Sequence, residues 1–270
     1  MILLAVIGNP VAHSRSPDIH HAFAAQLGLE VSYKRILGQA FESDVIHFFA
    51  EGGVGLNVTV PFKSAAFTFA RHLSPRAELA GTVNTLFGNL KTGLNGDTTD
   101  GAGLVADLRD NLGVSLKGLR ILVLGAGGAV RGVLDDLATA GVASIDVLNR
   151  THARAVVLEE TFRNVRAVAP EISAGPWDVI INGTSTGLQG VAPTLPLGAV
   201  GRHTVGYEMV YGPVDTAFMA ELRSLGAARV VDGLGMLVEQ AARSFAIWTD
   251  RTPVTAPVIS DLRQRLGYRP

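Results

Sequence analysis

Two side chains in this sequence are best equipped for proton chemistry, a lysine and an aspartate. Lys63 closes the stretch Asn57-Val58-Thr59-Val60-Pro61-Phe62-Lys63. Strand alternation puts Asn57 and Thr59 on one face and Val58 and Val60 on the other, so polar groups face one way at a strand end. That suits a ligand bearing hydroxyls. With Pro61 starting the next helix, Lys63 falls in its first turn, where the helix dipole disfavours a cation and favours proton transfer from it. Asp100, in Gly96-Asp97-Thr98-Thr99-Asp100-Gly101, opens another helix. It serves either as an anionic partner for Lys63 or as an ordinary helix cap. Lys63 is correspondingly a proton-transfer group or a solvated surface lysine.

Two further clusters are polar where a core would be apolar. Ser14 and Ser16, in His13-Ser14-Arg15-Ser16-Pro17, follow a strand and precede a helix. They could donate to a carboxylate. Equally, Ser16 before Pro17 could be a helix N-cap with proline at the first helical position. Asn84, in Gly81-Thr82-Val83-Asn84-Thr85, either reads a ring hydroxyl through its amide or ends a strand.

The second half carries a glycine turn. The run Leu119–Leu124 is the clearest buried parallel strand in the chain, and Gly125-Ala126-Gly127-Gly128 breaks it before a helix from about Ala129. Strand, glycine turn and helix in that order make a dinucleotide site, since glycines let the backbone approach a pyrophosphate that the helix N-terminus attracts. The third position of the pattern is Val130 rather than a small residue, although Gly128 and Ala129 are small. The competing reading is a turn with structural use only. NAD sites place an acid at the end of the second strand. Here that strand ends Leu148-Asn149-Arg150-Thr151, and Asp146 lies mid-strand. Arg150 and Arg154, four apart, suit a 2′-phosphate, which favours NADP over NAD.

The elements that must position these residues alternate. Short Val/Ile/Leu-rich runs are followed by helix-length stretches in both halves, which predicts parallel βα units and an α/β fold. Strands are expected at 2–8, 31–36, 54–60, 84–87, 91–95, 119–124, 144–148, 179–181 and 204–209. Helices are expected at 17–27, 41–50, 62–71, 101–111, 129–140, from 151, 232–248 and 256–266. A boundary falls near Asp100, and the chain leaves its second unit near Gly235.

Bulk composition removes several function classes. The 270 residues are 47% apolar and 17% charged, enough for two modest cores. A net charge of −1 supplies no field for a phosphate backbone, so no nucleic-acid partner is expected. No apolar run approaches the ~20 residues of a membrane helix, so no membrane partner is expected. The N-terminal run reads as a strand, not a signal peptide. With no cysteine, disulfides, thiol nucleophiles and Cys-bound zinc are excluded. The seven histidines show no metal-ligand spacing, and adjacent His20 and His21 point different ways. No metal is expected, and the cytoplasm is the default location.

Taken together, these stretches resemble the shikimate dehydrogenase family. The matching pieces are Gly8-Asn9-Pro10 with the Ser14–Ser16 cluster, the Asn57–Lys63 stretch, Val83-Asn84-Thr85 and Thr99-Asp100-Gly101. Gly125 to Ala129, Asn149-Arg150-Thr151 and Asp232-Gly233-Leu234-Gly235-Met236-Leu237 complete them in the family's order. The resemblance implies two α/β domains around a cleft: a substrate-binding catalytic domain, 1–100 plus 237–270, and a Rossmann-like NADP-binding domain, 101–236. It implies reversible, NADPH-dependent reduction of 3-dehydroshikimate to shikimate, in aromatic amino-acid biosynthesis, by a monomer or homodimer. It makes Lys63 and Asp100 the catalytic pair. Substrate contacts fall to Ser14, Ser16, Asn57, Thr59, Asn84, Tyr211 and Gln240. The cofactor falls to Gly125, Ala126, Gly127, Gly128 and Ala129, to the clamp Asn149, Arg150, Thr151 and Arg154, and to Gly233. Thr98 replaces the family's usual Asn, which is expected to alter rate or substrate preference before it abolishes function. A quinate or aminoshikimate dehydrogenase, or a non-catalytic NADP-binding sensor, are the alternatives.

Overall fold

The first strand, β1 (Ile2–Gly8), is apolar along its whole length because both of its faces are covered. Its side chains alternate between two cores: Leu4 and Val6 enter one, Ala5 and Ile7 the other. The structure is a computed structural model that describes residues 1–172, 175–184 and 190–268. The described residues build two six-stranded sheets.

The first sheet contains β1, β2 (Val31–Leu37), β3 (Gly55–Val58), β4 (His72–Leu73), β5 (Thr85–Asn89) and β6 (Gly93–Asp97), in the order β2-β1-β3-β5-β6-β4. β1 pairs in parallel with β2 and β3, and β5 runs antiparallel to both neighbours. One face is covered by α1 (Ser16–Leu27), α9 (Leu234–Thr249) and α10 (Ala256–Arg265), through Ile19, Phe23, Phe245, Trp248 and Leu262. The other is covered by α2 (Phe41–Ala50) and α3 (Lys63–Phe69), through Phe41, Val45, Phe48 and Ala66.

The second sheet is parallel throughout. It contains β7 (Arg120–Leu124), β8 (Ser144–Leu148), β9 (Val165–Val168), β10 (Val179–Asn182), β11 (Val205–Glu208) and β12 (Arg229–Asp232), in the order β12-β11-β10-β7-β8-β9. This is the doubly wound order, with its switch point between β7 and β10, where ligands bind outside the carboxyl ends of the strands. α5 (Asp100–Ala106), α6 (Gly128–Thr139) and α7 (His152–Thr161) cover one face. α8 (Ala217–Ser224) covers the other, with Trp177 and Leu222 in its core. A π-helical turn, Asp107–Asn111, continues α5. Among the described residues no helix is long and apolar enough to cross a membrane.

Several elements differ from expectation. The strand expected over 54–60 stops at Val58, because Phe62 N–H closes a turn on Thr59 O (3.0 Å). Alternation therefore ends early, and Val60 is exposed instead of packed. Pro61 lies in that turn, and the helix begins at Lys63. Ser16 does not cap α1: it is the first helical residue, follows Arg15, and its side chain makes no cap bond. β4, α4 (Pro75–Ala80), β9, α8 and β12 have no counterpart among the expected elements.

Candidate active site

The carboxyl ends of β1, β3, β10, β11 and β12 converge on a cleft of roughly 520 Å³ between the two sheets. Ser14, Ser16, Asn57, Thr59, Lys63 and Asn84 line it from the first sheet's side. Asp100, Tyr211 and Gln240 complete the set of expected substrate-facing residues in its walls. Ala129 and Gly233 also line it.

The lysine and aspartate meet. Lys63 Nζ donates to Asp100 Oδ2, and the aspartate is 7% exposed. Asn84 Nδ2 donates to the other oxygen, Oδ1, at 2.8 Å. Asp100 therefore faces the lysine from the first residue of α5, and the preceding Thr99, at the cap position, makes no side-chain cap bond. The segments that carry the pair are both fastened to the Val83-Asn84 stretch: Val83 N–H donates to Lys63 O (3.1 Å), and Thr99 N–H to Asn84 Oδ1 (2.9 Å).

Behind the cleft, polar groups stay satisfied through a relay that adds Tyr33, Thr85 and Ser244 to the expected residues. Tyr33 Oη donates to Asn57 Oδ1 (2.7 Å), and Asn57 Nδ2 donates to Ser244 Oγ (3.0 Å). Ser244 Oγ lies 2.9 Å from Thr85 Oγ1, which donates to Asn84 Oδ1 at 2.8 Å. Gln240 Oε1 is 3.4 Å from Asn84 Nδ2, and its amide donates to Leu237 O (2.7 Å). Gln240 can reach the cleft because Gly103 on α5 lets α9 approach; a Cβ there would sit 2.7 Å from Gln240 N. Ser244 did carry a signal: it stands four residues beyond Gln240, on the same helical face.

Thr98, where the family usually has Asn, is 1% exposed, and its hydroxyl has no hydrogen-bond partner among the described residues. The loop carrying Asp100 is held instead by Thr98 N–H on Asp97 Oδ1 (2.8 Å) and by Arg76, whose guanidinium pairs with Asp97 at 2.6 Å.

On the other side, the glycine turn takes the form a dinucleotide needs. Gly125 has φ +107°, and a Cβ there would also crowd Gly183. Gly127 has an ordinary φ of −84°, and a Cβ built on it would meet nothing within 4 Å. Neither backbone nor packing asks for glycine at 127, so the open space in front of it is a cradle for a ligand that a side chain would fill. α6 starts there without a side-chain cap, leaving its first N–H groups for an anion. Val130 points away from this cradle into the core: it is fully buried, and a Cβ at Gly183 would lie 2.6 Å from it. The close helix–strand packing of the usual small third residue is thus supplied by Gly183.

At the end of β8, Arg150, Thr151 and Arg154 are exposed, and neither guanidinium has an ion pair or hydrogen bond among the described residues. Asn149 donates to Thr151 O at 2.8 Å and shapes this corner. Asp146 does not reach it: its buried carboxylate takes Arg166 (2.9 Å) and Trp177 Nε1 (2.8 Å). A dinucleotide bearing a 2′-phosphate fits this set of groups. Gly125 to Gly128, Asn149 and the two arginines lie beyond the lining of the cleft, along the strand ends that lead into it.

The part of the cleft wall formed by Met209, Val210 and Tyr211 is braced by Glu208 at the end of β11. Its fully buried carboxylate accepts from Asn182 Nδ2 (2.9 Å), Thr216 Oγ1 (2.8 Å) and Val210 N–H (3.3 Å). Burial pushes its carboxyl above the usual range, and burial likewise raises the Tyr211 phenol. Among the described residues no group of three or more His, Asp or Glu is placed to hold a metal ion.

Three family models match the chain in order. They are the shikimate dehydrogenase substrate binding domain over residues 6–86, shikimate / quinate 5-dehydrogenase over 107–188, and the shikimate 5′-dehydrogenase C-terminal domain over 233–260. Shikimate dehydrogenase (NADP(+)) of Alkalilimnicola ehrlichii is 50% identical over 264 residues, spanning 96% of this chain and 97% of that protein. Among solved structures, an Ael1 enzyme from Pseudomonas putida superposes with a TM-score of 0.92 at 38% identity, covering 100% of this chain and 99% of that one. Shikimate 5-dehydrogenase from Thermus thermophilus, solved with NADP(H) and shikimate, superposes with a TM-score of 0.87 at 36% identity, covering 98% of this chain and 100% of that one.

Proposed function

This chain belongs to the shikimate dehydrogenase family, and on that premise we propose that it catalyses the reversible reduction of 3-dehydroshikimate to shikimate by NADPH. The observation that carries the reading is the meeting of the Lys63–Asp100 pair with the end of the glycine-turn helix in one cleft. Residues 1–100 and 237–270 form the substrate-binding catalytic domain, and 101–236 the NADP-binding domain.

NADPH, when bound, supplies the hydride, held by the Gly125–Ala129 turn at its phosphates, by Asn149, Arg150, Thr151 and Arg154 at its 2′-phosphate, and by Gly233 nearer the cleft. Ser14 and Ser16 bind the substrate carboxylate. Asn57, Thr59, Asn84 and Gln240 bind ring hydroxyls, and Tyr211 borders the ring. Lys63 Nζ holds the proton that the carbonyl oxygen takes as negative charge develops on it. Asp100 keeps the ammonium pointed at that oxygen, and Asn84 keeps Asp100 from turning away. The buried relay from Tyr33 to Ser244 fixes the amides of Asn57 and Asn84, so they meet the substrate already oriented. One chain supplies every one of these groups, which suits a monomer or a homodimer of independent sites. The location proposed for this activity is the cytoplasm.

The test is a steady-state panel of shikimate and quinate, each with NADP and NAD. Shikimate with NADP should give the highest kcat/KM. A preference for quinate with NAD would move the chain to the quinate branch, and cofactor binding without turnover would make it a sensor.

A further inference from the structure

Strand β2 gives no side chain to the cleft lining, yet two of its residues, on one face, each hold a residue that does. Tyr33 holds Asn57 through its hydroxyl. Arg35, two residues on, donates to the backbone carbonyl of Ser14 through both Nε (3.0 Å) and Nη2 (2.7 Å). Parallel pairing with β1 sets Arg35 opposite Val6, just upstream of the turn that carries Ser14 and Ser16.

That turn has few other anchors. Ser14 N–H reaches Val11 O (3.0 Å), and Ser16 N–H reaches Ser14 Oγ (3.3 Å). The two hydroxyls lie 3.2 Å apart, close enough to share one anionic group. The neighbouring cations are otherwise engaged: Arg15 faces Asp18 at 3.6 Å, and Lys63 is taken by Asp100. Arg35 has no carboxylate partner among the described residues, so its charge stays unneutralised behind the Ser14 carbonyl.

We propose that Arg35 is the positioning and charge-supplying residue of the carboxylate end of the substrate site. It acts through Ser14, setting the register of the two serine hydroxyls, and contributes a positive potential that a chain of net charge −1 does not provide globally. The inference rests on the reading of Ser14 and Ser16 as the carboxylate site.

The experiment compares wild type, Arg35→Ala and Arg35→Lys with shikimate, with shikimate methyl ester and with NADP. For Arg35→Ala, KM for shikimate should rise about tenfold, the scale of one exposed charged hydrogen bond. KM for NADP should stay within about twofold, and KM for the methyl ester should rise clearly less than KM for the acid, because the ester still meets the serine hydroxyls but carries no charge for Arg35 to attract. Arg35→Lys, which keeps the charge but not the forked donor, should recover part of the loss. Equal shifts for acid and ester, or no shift for the acid, would overturn the proposal. A wild type that does not oxidise shikimate would instead refute the underlying function.

Discussion

The side-chain amide of Asn84 donates to Oδ1 of Asp100 at 2.8 Å, which leaves Oδ2 for the Lys63 ammonium. One amide thereby fixes the orientation of the carboxylate, and its carbonyl oxygen also accepts from Thr99 N–H and Thr85 Oγ1. Asn84→Ala removes all of these bonds and leaves buried partners unpaired. It should cost about 2 kcal/mol of stability in denaturant unfolding and lower kcat more than it raises KM. A variant of full stability and full turnover would show that Asp100 needs no such hold.

Arg150 and Arg154 stand exposed and unpaired at the end of β8. Arg150→Ala should weaken NADP by about tenfold while leaving NAD nearly untouched, since only one of the two cofactors carries the 2′-phosphate. Titration of both cofactors by fluorescence checks this. Equal losses would contradict a 2′-phosphate at this corner.

Thr98 buries a hydroxyl with no partner among the described residues. Replacing it by a methyl group of the same shape removes an uncompensated desolvation cost. Thr98→Val should therefore raise unfolding stability by about 1 kcal/mol, read from denaturant melts. A loss of similar size would mean that the hydroxyl is satisfied in solution.

His20 is fully buried, stacks on Tyr33 at 4.4 Å, and its ring nitrogens have no partner among the described residues. Burial pushes its pKa down from 6.5 to about 3. Between those values the unfolded chain binds a proton that the folded chain refuses. Stability from this residue is thus complete above pH 6.5 and falls as pH drops toward 3, by up to about 1.4 kcal/mol per unit. His20→Phe should lose that part of the acid sensitivity. Melts of both proteins at pH 7, 5 and 4 measure it, and a constant gap between them would contradict the assignment.

Much of this architecture is legible in the sequence because burial on both faces leaves a plain mark. β1 and β7 are continuous apolar runs, and Gly125 to Gly128 interrupts the second at the switch point. The cleft residues could be picked out for a related reason: Asn57, Asn84 and Asp100 are polar where packing alone would choose apolar groups. What stayed hidden depends on which strands become neighbours. Tyr33 supports Asn57 across two strand pairings, and nothing in its local sequence says so. β9 and β12 are only four residues long and each carries an arginine, Arg166 and Arg229, so neither shows a readable period. Ser16 has the local chemistry of an N-cap, yet its side chain turns toward Ser14 and the cleft. There tertiary context overrides a local preference.

The most direct test is the turnover of Lys63→Ala with shikimate and NADP, measured beside shikimate binding to the same variant. If Lys63 Nζ takes the hydroxyl proton in this direction, as it gives it to the carbonyl in the reverse, kcat should fall by about a hundredfold or more, the usual scale for removing a proton-transfer group, while binding changes far less. Turnover that survives unchanged would take Lys63 out of the chemistry and leave its pairing with Asp100 a structural one.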